Sequence, residues 1–116
     1  MNETQYITKR LRPFLKERGF AVVHKSSERF SSGWPDLTCV HAPDGETVFI
    51  EAKVDGKKPT PLQRKTLQDL AKAGARAFVF TWHNEGQYQL IERMTEEGVF
   101  ECYDVGFEDT FRKEGE

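Results

Sequence analysis

The chain has 116 residues, 31% charged and 37% hydrophobic with 12% aromatic, which suits one domain with one small core over residues 1–116. No stretch approaches the ~20 apolar residues of a membrane helix, and no basic segment followed by an apolar run opens the sequence, so a soluble cytoplasmic protein with no membrane partner is expected. Net charge is −2 but uneven: residues 1–91 hold 14 Lys/Arg against 10 Asp/Glu and residues 92–116 hold 3 against 9, so charge permits a nucleic-acid partner without arguing for one.

The first expected element is a helix from about Glu3 to Arg18. Asn2 can cap it, Glu3 complements its dipole and Gly19 stops it. Ile7, Leu11, Phe14 and Leu15 make one apolar stripe, while Pro13 removes a backbone hydrogen bond and should kink or split the helix. Phe20 to Lys25 reads as a strand, and residues 26–33, with four serines, as a mobile loop. Pro35 to His41 and Glu46 to Lys53 read as two more strands, joined by the turn chemistry of Ala42-Pro43-Asp44-Gly45.

The next helix has the clearest boundaries. Thr60 suits the N-cap, Pro61 the first helical position, and Gln63 completes a T-x-x-Q capping box. Leu62, Leu67, Leu70 and Ala71 supply its apolar positions and Gly74 ends it. Ala77 to Thr81 is an apolar run of strand length. Residues 86–97 read as a helix around Leu90, Ile91 and Met94, and Val99 to Val105 as an edge strand before a frayed end. A helix between the third and fourth strands implies a right-handed crossover and a parallel pair. The expected fold is α/β with a mixed sheet.

Chemistry concentrates in Pro35-Asp36 and, after fourteen intervening residues, Glu51-Ala52-Lys53. Alternation along a strand puts Glu51 and Lys53 on one face. With Pro43 and Asp44 as the two loop residues, paired positions sum to 87 and Asp36 lies opposite Glu51. The hydrophobic pattern supports this register, because Leu37 then faces Ile50 and Cys39 faces Val48; a slip of one would set Leu37 against Glu51. Two carboxylates about 5 Å apart repel, and a hard divalent cation with oxygen ligands relieves the repulsion. Lys53 beside them can position an attacking water or neutralise charge developing on a phosphorane. A surface hairpin with a cross-strand salt cluster has the same spacing, so spacing alone leaves both readings open. Cys39 and Cys102 read as thiols rather than a disulfide, and His24, His41 and His83 show no zinc-site spacing.

Gly33-Trp34-Pro35-Asp36-Leu37, Phe49-Ile50-Glu51-Ala52-Lys53 and Lys57-Lys58-Pro59-Thr60-Pro61-Leu62-Gln63 together resemble the PD-(D/E)XK nuclease superfamily. Within it the resemblance is to the VRR-NUC family, the virus-type replication-repair nucleases, over about residues 2–82. It implies a restriction-endonuclease-like fold and a Mg²⁺- or Mn²⁺-dependent endonuclease that cuts DNA, with branched DNA such as Holliday junctions as substrate and a homodimer as the working form. Carried over by position, Asp36 and Glu51 match the metal-binding acids, Lys53 the catalytic lysine, Gln63 the helix glutamine near the site and Glu3 the acid of the first helix. The Ala52 carbonyl matches a backbone metal contact, although the family usually has a valine-like residue there. Pro13 puts the placement of Glu3 in question.

Each assignment has a plainer competitor. Glu3 can simply serve the helix dipole, and Gln63 can be only a cap. Lys57, Lys58, Arg64 and Lys65 can be a solvated face or, beside the proposed phosphate site, contacts to the DNA backbone. Trp34 can pack or stack on a base, and His24 and Lys25 can face the site from the neighbouring strand. A nuclease fold that only binds nucleic acid, and a nuclease directed at RNA, are the alternative functions; a scaffold role leaves the clustered acids unexplained.

Overall fold

The computed structural model describes residues 1–26 and 33–103. The serine-rich loop and the frayed end therefore fall almost wholly outside the described residues. No helix among them is long and apolar enough to cross a membrane.

The N-terminal helical segment has three parts: α1 (Glu3–Tyr6), a π-helical turn (Ile7–Leu11) and α2 (Arg12–Glu17). Asn2 caps it through a capping box, its side chain accepting from the Gln5 N–H while the Gln5 side chain accepts from the Asn2 N–H. Pro13 falls in the first turn of α2, and the expected disruption takes the form of a widened turn before it. In that turn the Arg12 N–H reaches the Ile7 carbonyl five residues back. A regular α-turn would set the proline ring against a carbonyl it cannot satisfy, and one extra residue in the turn relieves that clash. The stripe is as expected: Ile7, Leu11 and Leu15 are buried, joined by Tyr6, with Phe14 partly buried.

Among the described residues six strands form one sheet in chain order: β1 (Phe20–Lys25), β2 (Leu37–His41), β3 (Thr47–Val54), β4 (Arg76–His83), β5 (Tyr88–Met94) and β6 (Phe100–Cys102). Among the described strands only the β3–β4 pair is parallel, spanned by α3 (Pro61–Lys72), as the crossover argument expects. The β2–β3 register pairs Leu37 with Ile50 and Cys39 with Val48, the register chosen by hydrophobic pattern. Its turn holds four residues rather than two, because His41 still pairs with Glu46 (N–H to carbonyl 2.8 Å) and Gly45 N–H returns to the His41 carbonyl (2.7 Å). β2 also starts at Leu37 rather than Pro35.

Residues 86–97 are a correction: β5 occupies Tyr88–Met94, and no helix forms there. Ile91 packs with the α1–α2 side of the sheet and Met94 with the α3 side. A strand buried on both faces loses its polar alternation, and its apolar residues can then imitate helical spacing. Leu62 is the other departure, being 51% exposed rather than in the core.

The helices cover opposite faces of the sheet. Tyr6, Ile7, Leu11 and Leu15 pack on Val48, Ile50, Ala52, Phe78 and Phe80. Leu67 and Ala71 of α3 pack on Ala77, Val79 and Met94. Alternation along β3 therefore turns Phe49, Glu51 and Lys53 toward the α3 side. That face carries the site.

Candidate active site

Glu51 is the centre of the cluster. It lies in mid-sheet, only 2% exposed, and its Oε2 receives Lys53 Nζ at 3.2 Å and Gln63 Nε2 at 3.1 Å. Its Oε1 is buried with no hydrogen-bond partner among the described residues. Burial pushes the Glu51 carboxyl up to about 8; the neighbouring Asp36 adds to the rise, Lys53 opposes it, and Glu3 contributes a further repulsion. The structure thus brings Glu3, Asp36, Glu51 and Lys53 into one electrostatic neighbourhood.

Asp36 stands just before β2, and its Oδ2 accepts the Ala52 N–H at 2.8 Å. The local reason lies in the motif. Positions 41 and 46 form a hydrogen-bonded pair, and such pairs recur every second residue along an antiparallel ladder. Continued in the same register, Pro35 falls opposite Ala52. Proline has no N–H, so position 35 offers the Ala52 carbonyl no donor, while the Ala52 N–H donates to Asp36 Oδ2.

Gln63 serves as cap and site residue at once. Its N–H donates to Thr60 Oγ1 (3.1 Å), its Oε1 accepts from the Thr60 N–H (2.9 Å), and its Nε2 reaches Glu51. The capping box fixes the first turn of α3, which aims the amide into the sheet.

The proposed backbone contacts divide. Lys57 and Lys58 lie exposed on the loop after β3. Arg64 is engaged within the fold, donating to the Gly98 carbonyl (3.0 Å) and lying over the Phe100 ring at 5.0 Å. Lys65 is exposed and paired with Asp69 at 2.9 Å. Trp34 both packs and shows itself: it meets the Phe49 ring edge-on at 5.5 Å and remains 40% exposed. A bulge in β1 sets His24 opposite Thr38, on the face of the site, and Lys25 opposite Leu37, on the other. Cys39 and Cys102 are free, Cys39 buried and Cys102 exposed.

A family model described as the VRR-NUC domain matches residues 4–97. The chain belongs to the VRR-NUC domain family. The match runs through β5, beyond the residues 2–82 on which the resemblance rests in sequence. A solved VRR_NUC domain is 28% identical, with a TM-score of 0.58 over 74% of this chain and 90% of that one. The Holliday junction resolvase Hjc of Archaeoglobus fulgidus, an archaeal hyperthermophile, is 19% identical, with a TM-score of 0.59 over 76% of this chain and 74% of that one. That likeness shows a shared restriction-endonuclease-like fold. No curated protein matches the chain in sequence.

One support of this VRR-NUC domain escapes sequence reasoning. Asn84, in the β4–β5 turn, donates from Nδ2 to the Met1 carbonyl (3.0 Å) and to Asp55 Oδ2 (2.8 Å), and its Oδ1 accepts from Trp82 Nε1 (3.1 Å). The clamp ties the start of α1, and so Glu3, to the ends of β3 and β4. The separation of 83 residues between Met1 and Asn84 leaves no local pattern to find it by.

Proposed function

We propose that this VRR-NUC domain is a PD-(D/E)XK nuclease that hydrolyses DNA phosphodiester bonds with Mg²⁺ or Mn²⁺ at the Asp36–Glu51 site, in the cytoplasm. The observation that carries the proposal is the Glu51 carboxylate: deeply buried, facing a second carboxylate, and with one oxygen unpartnered among the described residues. A buried anion so placed is costly unless a cation meets it.

The residues fit a hard divalent ion. Among the described residues no three His, Cys, Asp or Glu side chains stand as a finished cage, but Mg²⁺ uses one or two carboxylates with water and substrate phosphate for the rest. Asp36, Glu51 and the Ala52 carbonyl would hold it, with Glu3 completing the acidic set. When bound, such a cation supplies Lewis-acid polarisation at the scissile phosphate.

The chain's own groups do the remainder. Lys53, 12% exposed, points its ammonium at the face where phosphate must arrive. There it orients the attacking water and offsets charge gathering on the phosphorane oxygens. Gln63 holds Glu51 in its rotamer. Lys57 and Lys58 meet backbone phosphates, with Lys65 on the adjoining helix and Arg64 acting chiefly as a brace. The substrate we favour is branched DNA, such as a four-way junction, in keeping with the fold shared with a junction resolvase.

End-labelled single-stranded, duplex, flap and four-way-junction DNA, offered with Mg²⁺, Mn²⁺ or EDTA, tests this directly. Metal-dependent cutting is expected, falling by at least about 10²-fold in Lys53→Ala with DNA binding kept. Undiminished cutting by Lys53→Ala overturns the mechanism. No cutting by folded wild type that still binds DNA overturns the DNA nuclease, and a parallel RNA panel then separates an RNA nuclease from a binding module.

A further inference from the structure

On the same face of the sheet, one strand away from the site, lies a cavity of about 350 Å³. Its floor comes from β4 and β5, through Val79, Thr81, Leu90 and Glu92. The parallel register sets Glu51 beside Val79 and Lys53 beside Thr81. Neighbouring strands lie about 4.8 Å apart, so the floor begins one strand over from Lys53, at Thr81. The cavity therefore lies one strand from Lys53, with Lys57, Lys58 and Pro59 of the loop after β3 in its lining.

The lining has the chemistry of a nucleotide. Val79 and Leu90 give an apolar floor, and the Phe100 ring, with Arg64 over it, forms an aromatic wall. Lys57 and Lys58 stand at the mouth, where a phosphate would sit. Glu92 is the one acid in the lining. A carboxylate repels phosphate and accepts from the N–H groups of a base.

The wall is preformed. Arg64 holds the Gly98 carbonyl at 3.0 Å and stacks over Phe100. Gln68 Nε2 donates to the Glu96 carbonyl at 3.0 Å. Both bonds fasten the β5–β6 turn to α3, so the cavity need not assemble around its ligand. Its volume lies near the lower end of the roughly 300–1,000 Å³ typical of small-molecule sites, enough for one nucleotide and not two.

We propose that this cavity receives the base of one unpaired nucleotide of the substrate strand, beside the phosphate at Lys53, and selects bases that carry an exocyclic amine. Glu92 accepts from that amine, and the Thr81 hydroxyl offers a second contact that can donate or accept. Thymine, which turns a carbonyl toward the carboxylate in place of the amine, is disfavoured. The proposal rests on the nuclease reading for its substrate, but the cavity can be tested without cutting.

The probe is dCMP, followed by amide NMR shifts of the whole domain in EDTA, against dTMP and deoxyribose 5-phosphate. Shifts at Val79, Thr81, Leu90 and Phe100 are expected with dCMP, binding about fivefold tighter than dTMP, and are not expected with the base-free sugar phosphate. Leu90→Trp, which fills the cavity, should abolish the floor shifts and raise KM for a single-stranded oligonucleotide. Glu92→Gln, which leaves the floor intact, should erase the preference for dCMP over dTMP. Identical shifts from the base-free sugar phosphate, or unaltered nucleotide binding in Leu90→Trp, overturn the proposal. Wild type that binds dCMP in the cavity yet cuts nothing sinks the nuclease reading alone; wild type that cuts while dCMP leaves the floor unmoved sinks the base pocket alone.

Discussion

Glu51 shows how much of this site is decided at single atoms. Its ordinary carboxyl value of 4.5 rises to about 8 because burial, Asp36 and Glu3 all oppose its charge and Lys53 only partly answers them. The folded state therefore binds the Glu51 proton more tightly than the unfolded chain does. Stability from that proton is complete below the unfolded value of 4.5 and is lost as pH rises through about 8. Metal-free protein is expected to melt at lower temperature at pH 8 than at pH 5. Mg²⁺ should restore more at pH 8, since the cation must displace the proton. Thermal melts of wild type and Glu51→Gln in EDTA check this; an equal pH slope in the variant would rule Glu51 out as the source. Pro35 acts at the same scale by what it lacks. Pro35→Ala supplies an N–H opposite the Ala52 carbonyl and should weaken Mg²⁺ binding about tenfold while leaving the melting temperature unchanged or higher. Calorimetric titration of Mg²⁺ measures it, and unchanged affinity would remove the Ala52 carbonyl from the metal set. The strand alternation of Glu51 and Lys53 was legible in the sequence, and so were both roles of Gln63, as cap and as site residue; that one side chain serves both at once depends on how the helix is placed against the sheet.

Among the elements, α3 couples fold stability to the site. Thr60 and Gln63 bond each other reciprocally, and the same glutamine reaches Glu51. Thr60→Ala should cost about 1 kcal/mol of stability and also reduce cleavage, because Gln63 loses the anchor that aims it. Thr60→Ser should recover both. Denaturant melts with cleavage rates test the pairing, and loss of stability with full activity would separate cap from site. The capping box was plain in the sequence because it is a local pattern with its own hydrogen bonds. The segment around Pro13 was half legible: the disruption was foreseen, but its form as a widened turn depends on keeping Leu11 and Leu15 buried on either side. The exposed Leu62 has a similar cause. Gly33, at φ +86°, passes so close that an added Cβ would lie 2.6 Å from Leu62 Cγ, so this leucine packs beneath the approach to Asp36 rather than into the core. β5 was misread because its apolar residues serve two faces, and a one-dimensional pattern does not say that a second face exists.

For the whole molecule, one sheet carries the site on the face toward α3 and a packed core on the other. The faces are joined through β4, whose residues Ala77 to Trp82 are all buried. A single site addresses one scissile phosphate at a time. Symmetric incision of two strands is met most directly by two copies related by a twofold axis. We expect light scattering to give twice the mass of one chain at cleaving concentrations. A monomer with full paired incision of a four-way junction would overturn the dimer.

What the sequence by itself determined is local or periodic. The caps at Asn2 and Thr60, the alternation that faces Glu51 and Lys53 together, and the register that sets Leu37 on Ile50 all follow from spacing along one or two strands. The juxtaposition of the acids and the lysine is legible for the same reason. Tertiary structure alone decided that Glu51 is buried with one oxygen unpartnered among the described residues, that Arg64 braces a turn rather than standing free, and that residues 88–94 form a strand. It also decided that Asn84 holds the start of α1. Each of these depends on which distant segment supplies the other half of a contact, and that partner is chosen by closure of the whole sheet.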